Sequence, residues 1–206
     1  MVGRGLFTAS KFPKLINHET LKLLLKVTAS TVADSSDPII KLSAMKSIYC
    51  FCEELSNENE HSIINLSFFI FVYRIDFYLF KGILVPHLQQ ITEGLIQIII
   101  QNATNQIGFL TMETLLKVLS VDEQFVGNIE TKISPFLIAL FIKNTSDPLI
   151  NSIITDTIKV VISNPYTNEK IEERIVPTLT SILNTTMETK NEHKDLSTLL
   201  MVSFLI

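Results

Sequence analysis

The amino-acid sequence predicts an all-α protein in which antiparallel helix pairs stack side by side in a superhelical solenoid. The first observation is an aspartate-proline dipeptide between two apolar stretches, at Asp37-Pro38 and again at Asp147-Pro148. Aspartate caps the free N–H groups at the start of a helix, and proline is tolerated in the first helical turn. Each dipeptide therefore marks a tight corner between two helices.

The second observation is a recurring proline at the head of an apolar stretch. Pro86, Pro135 and Pro177 are separated by 49 and 42 residues. This spacing is close to the HEAT period of roughly 40–47 residues and far from the 33–34 residues of ankyrin and tetratricopeptide units. The sequence therefore indicates HEAT repeats, each with an outer helix followed by an inner helix.

We expect four such helix pairs, and apolar residues at helical spacing support them. Leu84, Leu88, Ile91, Leu95 and Ile98 form one stripe; Ile40, Ala44, Ile48, Phe51 and Leu55 form another. In chain order the expected pairs are 18–31 with 39–55, 86–100 with 103–120, 135–143 with 149–163, and 172–187 with a helix from about 194.

The repeats divide the chain into three stretches. Residues 1–61 hold a partial repeat and the first pair, and residues 83–206 hold the other pairs, with the last one truncated. Since neither end shows the polar cap that solenoids need, we expect a piece of a longer solenoid.

An atypical apolar insertion at 62–82 separates the first two pairs. Residues 62–81 contain five of the 13 phenylalanines. Three interpretations are open: a buried helix or strand pair, a translated A/T-rich intron, or a membrane span. Arg74 and Asp76 leave only a short uninterrupted apolar run against the roughly 18–20 residues that a span needs.

Composition excludes some classes of function. Hydrophobic residues make up 47% and charged residues 18%, which suits a packed helical protein and not a disordered chain. The net charge of −4 disfavours direct binding of nucleic acid and favours a basic protein partner.

The sequence carries no catalytic or cofactor signature. A phosphate-binding glycine loop, a GxSxG elbow, an HExxH pair and paired CxxC motifs are all absent. Cys50, Cys52 and His61 lie near one another in sequence, but they lack a fourth ligand and lie across a helix end, so no zinc site is predicted. His87 is expected on the solvated surface. We predict no enzyme, no cofactor and no metal.

Acidic residues on or just after the inner helices are the candidate site. Their summed negative field would attract a basic protein surface, although a solvated helix face without a partner gives the same pattern. The candidates are Glu53, Glu113, Asp122, Glu123 and Asp156.

One stretch carries a family resemblance. Ile133-Ser134-Pro135-Phe136, followed by Asp147-Pro148 and then by Asp156 and Lys159, resembles the importin-β (karyopherin-β) family. Weaker matches extend the resemblance over about residues 1–61 and 83–187. It implies an internal part of a nuclear import receptor with an armadillo-type fold, present in cytoplasm and nucleus.

The resemblance also implies partners. Such a receptor binds basic cargo such as histones on its inner helices, and Ran in its GTP form governs release. Crevices between outer helices would accept the Phe-Gly repeats of the nuclear pore. Neither nucleic acid nor membrane is an expected partner. The alternative is a HEAT-repeat scaffold subunit of a phosphatase, kinase-like or vesicle-coat complex.

Overall fold

The computed structural model describes residues 16–34, 37–60, 80–102, 106–144 and 147–167, with isolated positions at 5, 8, 9, 11, 173, 177 and 180. Within these residues all regular structure is helical and no strand occurs. The prediction of an all-α, HEAT-like fold is confirmed. The expected fourth helix pair lies outside the described residues, apart from the isolated positions.

The described residues include six α-helices and one short 3-10 turn, and residues 80–84, which lead into that turn, are helical as well. The chain divides into two compact units, Met1–Phe125 and Val126–Ile206. The elements are α1 (His18–Asp34), α2 (Pro38–Glu60), the 3-10 turn (Val85–His87), α3 (Leu88–Asn102), α4 (Gln106–Leu119), α5 (Glu123–Lys143) and α6 (Pro148–Ile162).

Two stacked helix pairs form the first unit. Helix α1 packs on α2 and α3 packs on α4, while α1 also contacts α3 and α2 contacts α4. The unit therefore has a first-helix layer (α1 and α3) and a second-helix layer (α2 and α4), as expected for successive HEAT repeats. The expected stripes are buried, with Ile40 alone half-buried: Leu84, Leu88, Ile91, Leu95, Ile98, Ala44, Ile48, Phe51 and Leu55.

Aspartate caps both corners, as the sequence predicts. Asp37 Oδ1 accepts hydrogen bonds from the backbone N–H groups of Ile39 at 2.8 Å and Ile40 at 3.3 Å. Asp147 Oδ1 accepts in the same way from the second and third residues of α6, at 3.1 and 3.2 Å. These bonds satisfy N–H groups that have no partner inside the helix.

The predicted start of the third pair is wrong. Helix α5 begins at Glu123 and carries Pro135 in its interior. Asp122 sets the true start, because its Oδ1 accepts a hydrogen bond from the N–H of Phe125 at 2.7 Å. Pro135 removes only one helical hydrogen bond, and burial of Ile133 and Leu137 on either side holds the helix together.

The second unit shows how a helix pair ends. After α6, Asn164 Oδ1 accepts from the N–H of Tyr166 at 2.9 Å, and the Asn164 carbonyl accepts from the N–H of Thr167 at 3.1 Å. The turn places Tyr166 against Gly127 near the start of α5, where an added Cβ would lie 2.7 Å from Tyr166 Cβ. The beginning of α5 thus meets the end of α6, as in an antiparallel pair.

Most of the atypical insertion, residues 62–79, lies outside the described residues. Its last residues contribute to the first unit. The ring of Phe80 packs edge-on against that of Phe51, with centroids 5.9 Å apart. Lys81 Nζ lies 3.1 Å from Asp122 Oδ2.

In the part of the chain that the structure describes, two helical segments are long and apolar enough to cross a membrane on length and composition alone, Phe80–Asn102 and Glu123–Lys143. In each segment about half of the most apolar window is buried inside the protein, 50% and 44% respectively. Core helices of water-soluble proteins have the same composition and burial, so this is a weak signal for a span.

Candidate functional site

The second-helix layer of the first unit brings two predicted acidic residues together around a tyrosine. We call Tyr49 and Glu53 of α2 with Glu113 and Lys117 of α4 the Tyr49 cluster; all four side chains are half-buried. Tyr49 Oη donates to Glu53 Oε1 at 3.4 Å, and Lys117 Nζ lies 5.9 Å from the centre of the Tyr49 ring.

Helix geometry and packing position this cluster. A spacing of four residues places Tyr49 and Glu53 on one face of α2, and Glu113 and Lys117 on one face of α4. The two helices pack closely below the cluster, where Thr111 Oγ1, which donates to the Ile107 carbonyl at 2.6 Å, lies 3.3 Å from the sulfur of buried Met45.

The Tyr49 cluster carries a negative formal charge, because it holds two carboxylates and one lysine. Burial raises the pKa of Tyr49 above its usual value, and the charges of Glu53 and Glu113 raise it further. An aromatic face flanked by two carboxylates suits the side chain of lysine or arginine, because both the ring and the carboxylates attract a cation. Lys117 already lies over the ring, at the outer limit for a cation–π contact.

The structure places the other acidic candidates elsewhere. Asp122 caps α5 and pairs with Lys81, so its charge is compensated within the protein. Glu123 is exposed in the first turn of α5. Asp156, in the second unit, is exposed and lies 3.4 Å from Lys159 Nζ.

Neither cysteine forms a disulfide. Cys52 is fully buried, and this burial raises the pKa of its thiol to about 12, while Cys50 is half-buried. Within the described part of the chain, no group of three or more histidine, cysteine or acidic side chains could hold a metal ion. His61, the third residue of the rejected zinc set, lies outside that part.

A second feature lies on the first-helix layer, between α1 and the segment that leads into α3. This groove has a volume of about 330 Å³. Leu23, Ile83 and Pro86 give it an apolar surface, and charged or titratable residues surround them. The lining residues are Glu19, Lys22, Leu23, Lys26, Gly82, Ile83, Pro86 and His87.

His87 corrects a sequence expectation, because it is half-buried in this groove and not fully solvated. Burial lowers its pKa, and the positive charge of Lys26 lowers it further. The sequence could have indicated part of this basic surface, since Lys22 and Lys26 are four residues apart and share one face of α1. Nothing in the sequence showed that His87 would come to lie beside them.

The paired, stacked helices define a helical-repeat protein of HEAT type. No protein-family model matches the chain. The chain is similar to Importin-9 of Drosophila melanogaster, with 27% identity over 199 residues that cover 96% of this chain. The match extends beyond the two stretches on which the importin-β resemblance was based, and it confirms that resemblance.

The alignment covers 18% of the fly protein. The chain thus spans about a fifth of the length of that relative.

Proposed function

We propose that this chain is part of a nuclear transport receptor that holds basic protein cargo, such as histones, on its second-helix layer. Similarity to an importin along nearly the whole chain is the observation that carries the proposal. A receptor of this kind moves between cytoplasm and nucleus and performs no catalysis.

The Tyr49 cluster supports the choice of a basic cargo. Two half-buried carboxylates on neighbouring helices, Glu53 and Glu113, flank one aromatic ring. Partial burial reduces screening by salt, so their attraction for a cationic side chain exceeds that of fully exposed carboxylates. Of the other candidates, Glu123 would add a weaker, longer-range attraction, whereas the charges of Asp122 and Asp156 are offset by Lys81 and Lys159.

The groove on the first-helix layer supports a second contact, with the Phe-Gly repeats of the nuclear pore. Leu23, Ile83 and Pro86 offer an apolar surface to a phenylalanine ring. Control by Ran in its GTP form rests on the importin similarity alone, and we assign no residue to Ran. The alternative, a scaffold subunit of a phosphatase, kinase-like or vesicle-coat complex, gains no support from this similarity.

The test is a titration of a fluorescently labelled core-histone dimer with the chain at low and high salt. A variant carrying Glu53→Lys and Glu113→Lys should bind several-fold more weakly at low salt, because two attractive contacts become repulsive. At high salt the wild-type affinity should fall and the difference should shrink, since the Debye length is only about 3 Å at 1 M.

The matched control carries Glu19→Lys and Glu93→Lys. Both residues are exposed on the first-helix layer, and this variant changes the net charge by the same amount. It should retain most of the affinity. Equal losses in the two variants, or affinities insensitive to salt, would show that the Tyr49 cluster does not hold cargo.

A further inference from the structure

The groove between α1 and residues 82–87 is basic, although the whole chain carries a net charge of −4. Lys22 and Lys26 line it from α1, and His87 lines it from the 3-10 turn. Its one carboxylate, Glu19, lies 3.1 Å from Lys22 Nζ, so that pair is compensated. Lys26 therefore gives the groove its positive charge, and His87, whose pKa is lowered by burial and by Lys26, adds a polar ring.

Lys26 acts electrostatically inside the groove. Its charge is one of the two causes that hold the pKa of His87 below the usual value, the larger cause being burial. The positive charge of Lys26 on α1 therefore acts across the groove on the 3-10 turn. An anionic group placed between them would be attracted by Lys26 and would accept a hydrogen bond from the ring N–H of His87.

Apolar residues lie beside this charge. Leu23 is 65% exposed, and it faces the groove together with Ile83 and Pro86. A volume of about 330 Å³ is at the small end for ligand pockets, which suits one large apolar side chain with its adjoining backbone. An exposed leucine at the edge of an apolar groove gains free energy when such a side chain covers it.

We propose that this groove binds a short acidic peptide segment in which one large apolar side chain is flanked by carboxylates. The apolar side chain covers Leu23, Ile83 and Pro86, and a flanking carboxylate pairs with Lys26. This inference rests on the proposed function only because both take the groove as a docking surface. It goes further because it assigns the groove a preference for acidic over neutral segments. A neutral Phe-Gly segment would leave the positive charge of the groove without a partner.

The test uses the 206-residue chain and fluorescent peptides of equal length. One peptide has a phenylalanine flanked by glutamates, a second has it flanked by glycine and serine, and a third has glutamates around an alanine. The acidic phenylalanine peptide should bind up to about fivefold more tightly than the neutral one, because one exposed ion pair with Lys26 contributes about 0.2–1 kcal/mol. The alanine peptide should bind most weakly.

Two variants and one control locate the site. Lys26→Glu should abolish the preference for acidic flanks, and Leu23→Ser should weaken every phenylalanine peptide. Lys132→Glu changes the same charge at an exposed position on α5 and should leave binding unchanged.

Equal binding of acidic and neutral phenylalanine peptides would overturn the inferred selectivity and leave Phe-Gly docking intact. Loss of acidic-peptide binding in Lys132→Glu as large as in Lys26→Glu would overturn the location. Neither result affects the histone titration, which reports on the other helix layer, so failure of the cargo proposal is a separate outcome.

Discussion

Gly94 on α3 lies directly against Val32 on α1, so that a Cβ atom added to Gly94 would lie 2.8 Å from Val32 Cγ1. The same added atom would lie 3.0 Å from the backbone nitrogen of Ala33, which cannot rotate away. The first helices of two successive pairs thus touch through a residue without a side chain. Stacking of the pairs depends on this close approach.

Replacing Gly94 should therefore loosen the first unit. Gly94→Ala would force α1 and α3 apart, and overpacking of this kind typically costs about 1–3 kcal/mol. The measurement is the urea midpoint, followed by circular dichroism. Gly82→Ala is the matched control, because no heavy atom lies within 4 Å of a Cβ added there. If both variants unfold at the same midpoint, the helices can separate at no cost and the close approach is not required.

The cap at the second corner gives another prediction. Asp147→Ala leaves the N–H groups of Leu149 and Ile150 without an acceptor, and loss of such a cap costs about 0.5–2 kcal/mol. Asp147→Asn should restore most of the stability, since its carbonyl oxygen can accept the same bonds. Asp156→Ala, on the same helix but exposed, should change the unfolding midpoint much less. An alanine at 147 as stable as wild type would show that water replaces the cap.

Local signals explain what the sequence predicted correctly. The corner aspartates act on residues two and three positions ahead, and the buried stripes follow from helical periodicity, so both are visible in a short window. A short window also explains the wrong helix start at Pro135, because a proline at a helix start and one inside a helix have similar neighbours in sequence. Only the cap at Asp122 and the packing on both sides distinguish them.

The candidate site depended on contacts that no short window contains. Thr111 contacts Met45 across 66 residues of sequence, where α4 packs against α2. The sequence identified Glu53 and Glu113 as acidic residues on inner helices. It did not identify Tyr49 between them, nor Lys117 above the ring.

The tyrosine of the Tyr49 cluster should report on its two carboxylates. Glu53 and Glu113 both raise the pKa of Tyr49, with Glu53 the stronger, so Glu53→Gln should lower that pKa and Glu113→Gln should lower it less. The measurement is the ultraviolet absorbance of tyrosinate against pH, with each variant compared with its Tyr49→Phe counterpart to isolate one tyrosine. Glu93→Gln, on the other helix layer, should have no effect. If the pKa of Tyr49 is unchanged in both variants, the two carboxylates lie too far from the ring to bind one ligand together with it.

The burial of Cys52 should affect both the reactivity of its thiol and the dependence of stability on pH. The thiol holds its proton up to about pH 12 in the folded chain, against an ordinary value of 9.0. The thiolate is the reactive form, so iodoacetamide at pH 8 should label Cys52 only after unfolding in urea. Half-buried Cys50 should react faster in the native chain and serves as the internal control. Between pH 9 and 12 the unfolded chain binds fewer protons at this residue than the folded chain, so the free energy of unfolding should fall as pH rises through that range. Mass spectrometry of the labelled peptides measures the two rates, and labelling of Cys52 as fast as Cys50 without denaturant would contradict the packing of α2 against α4.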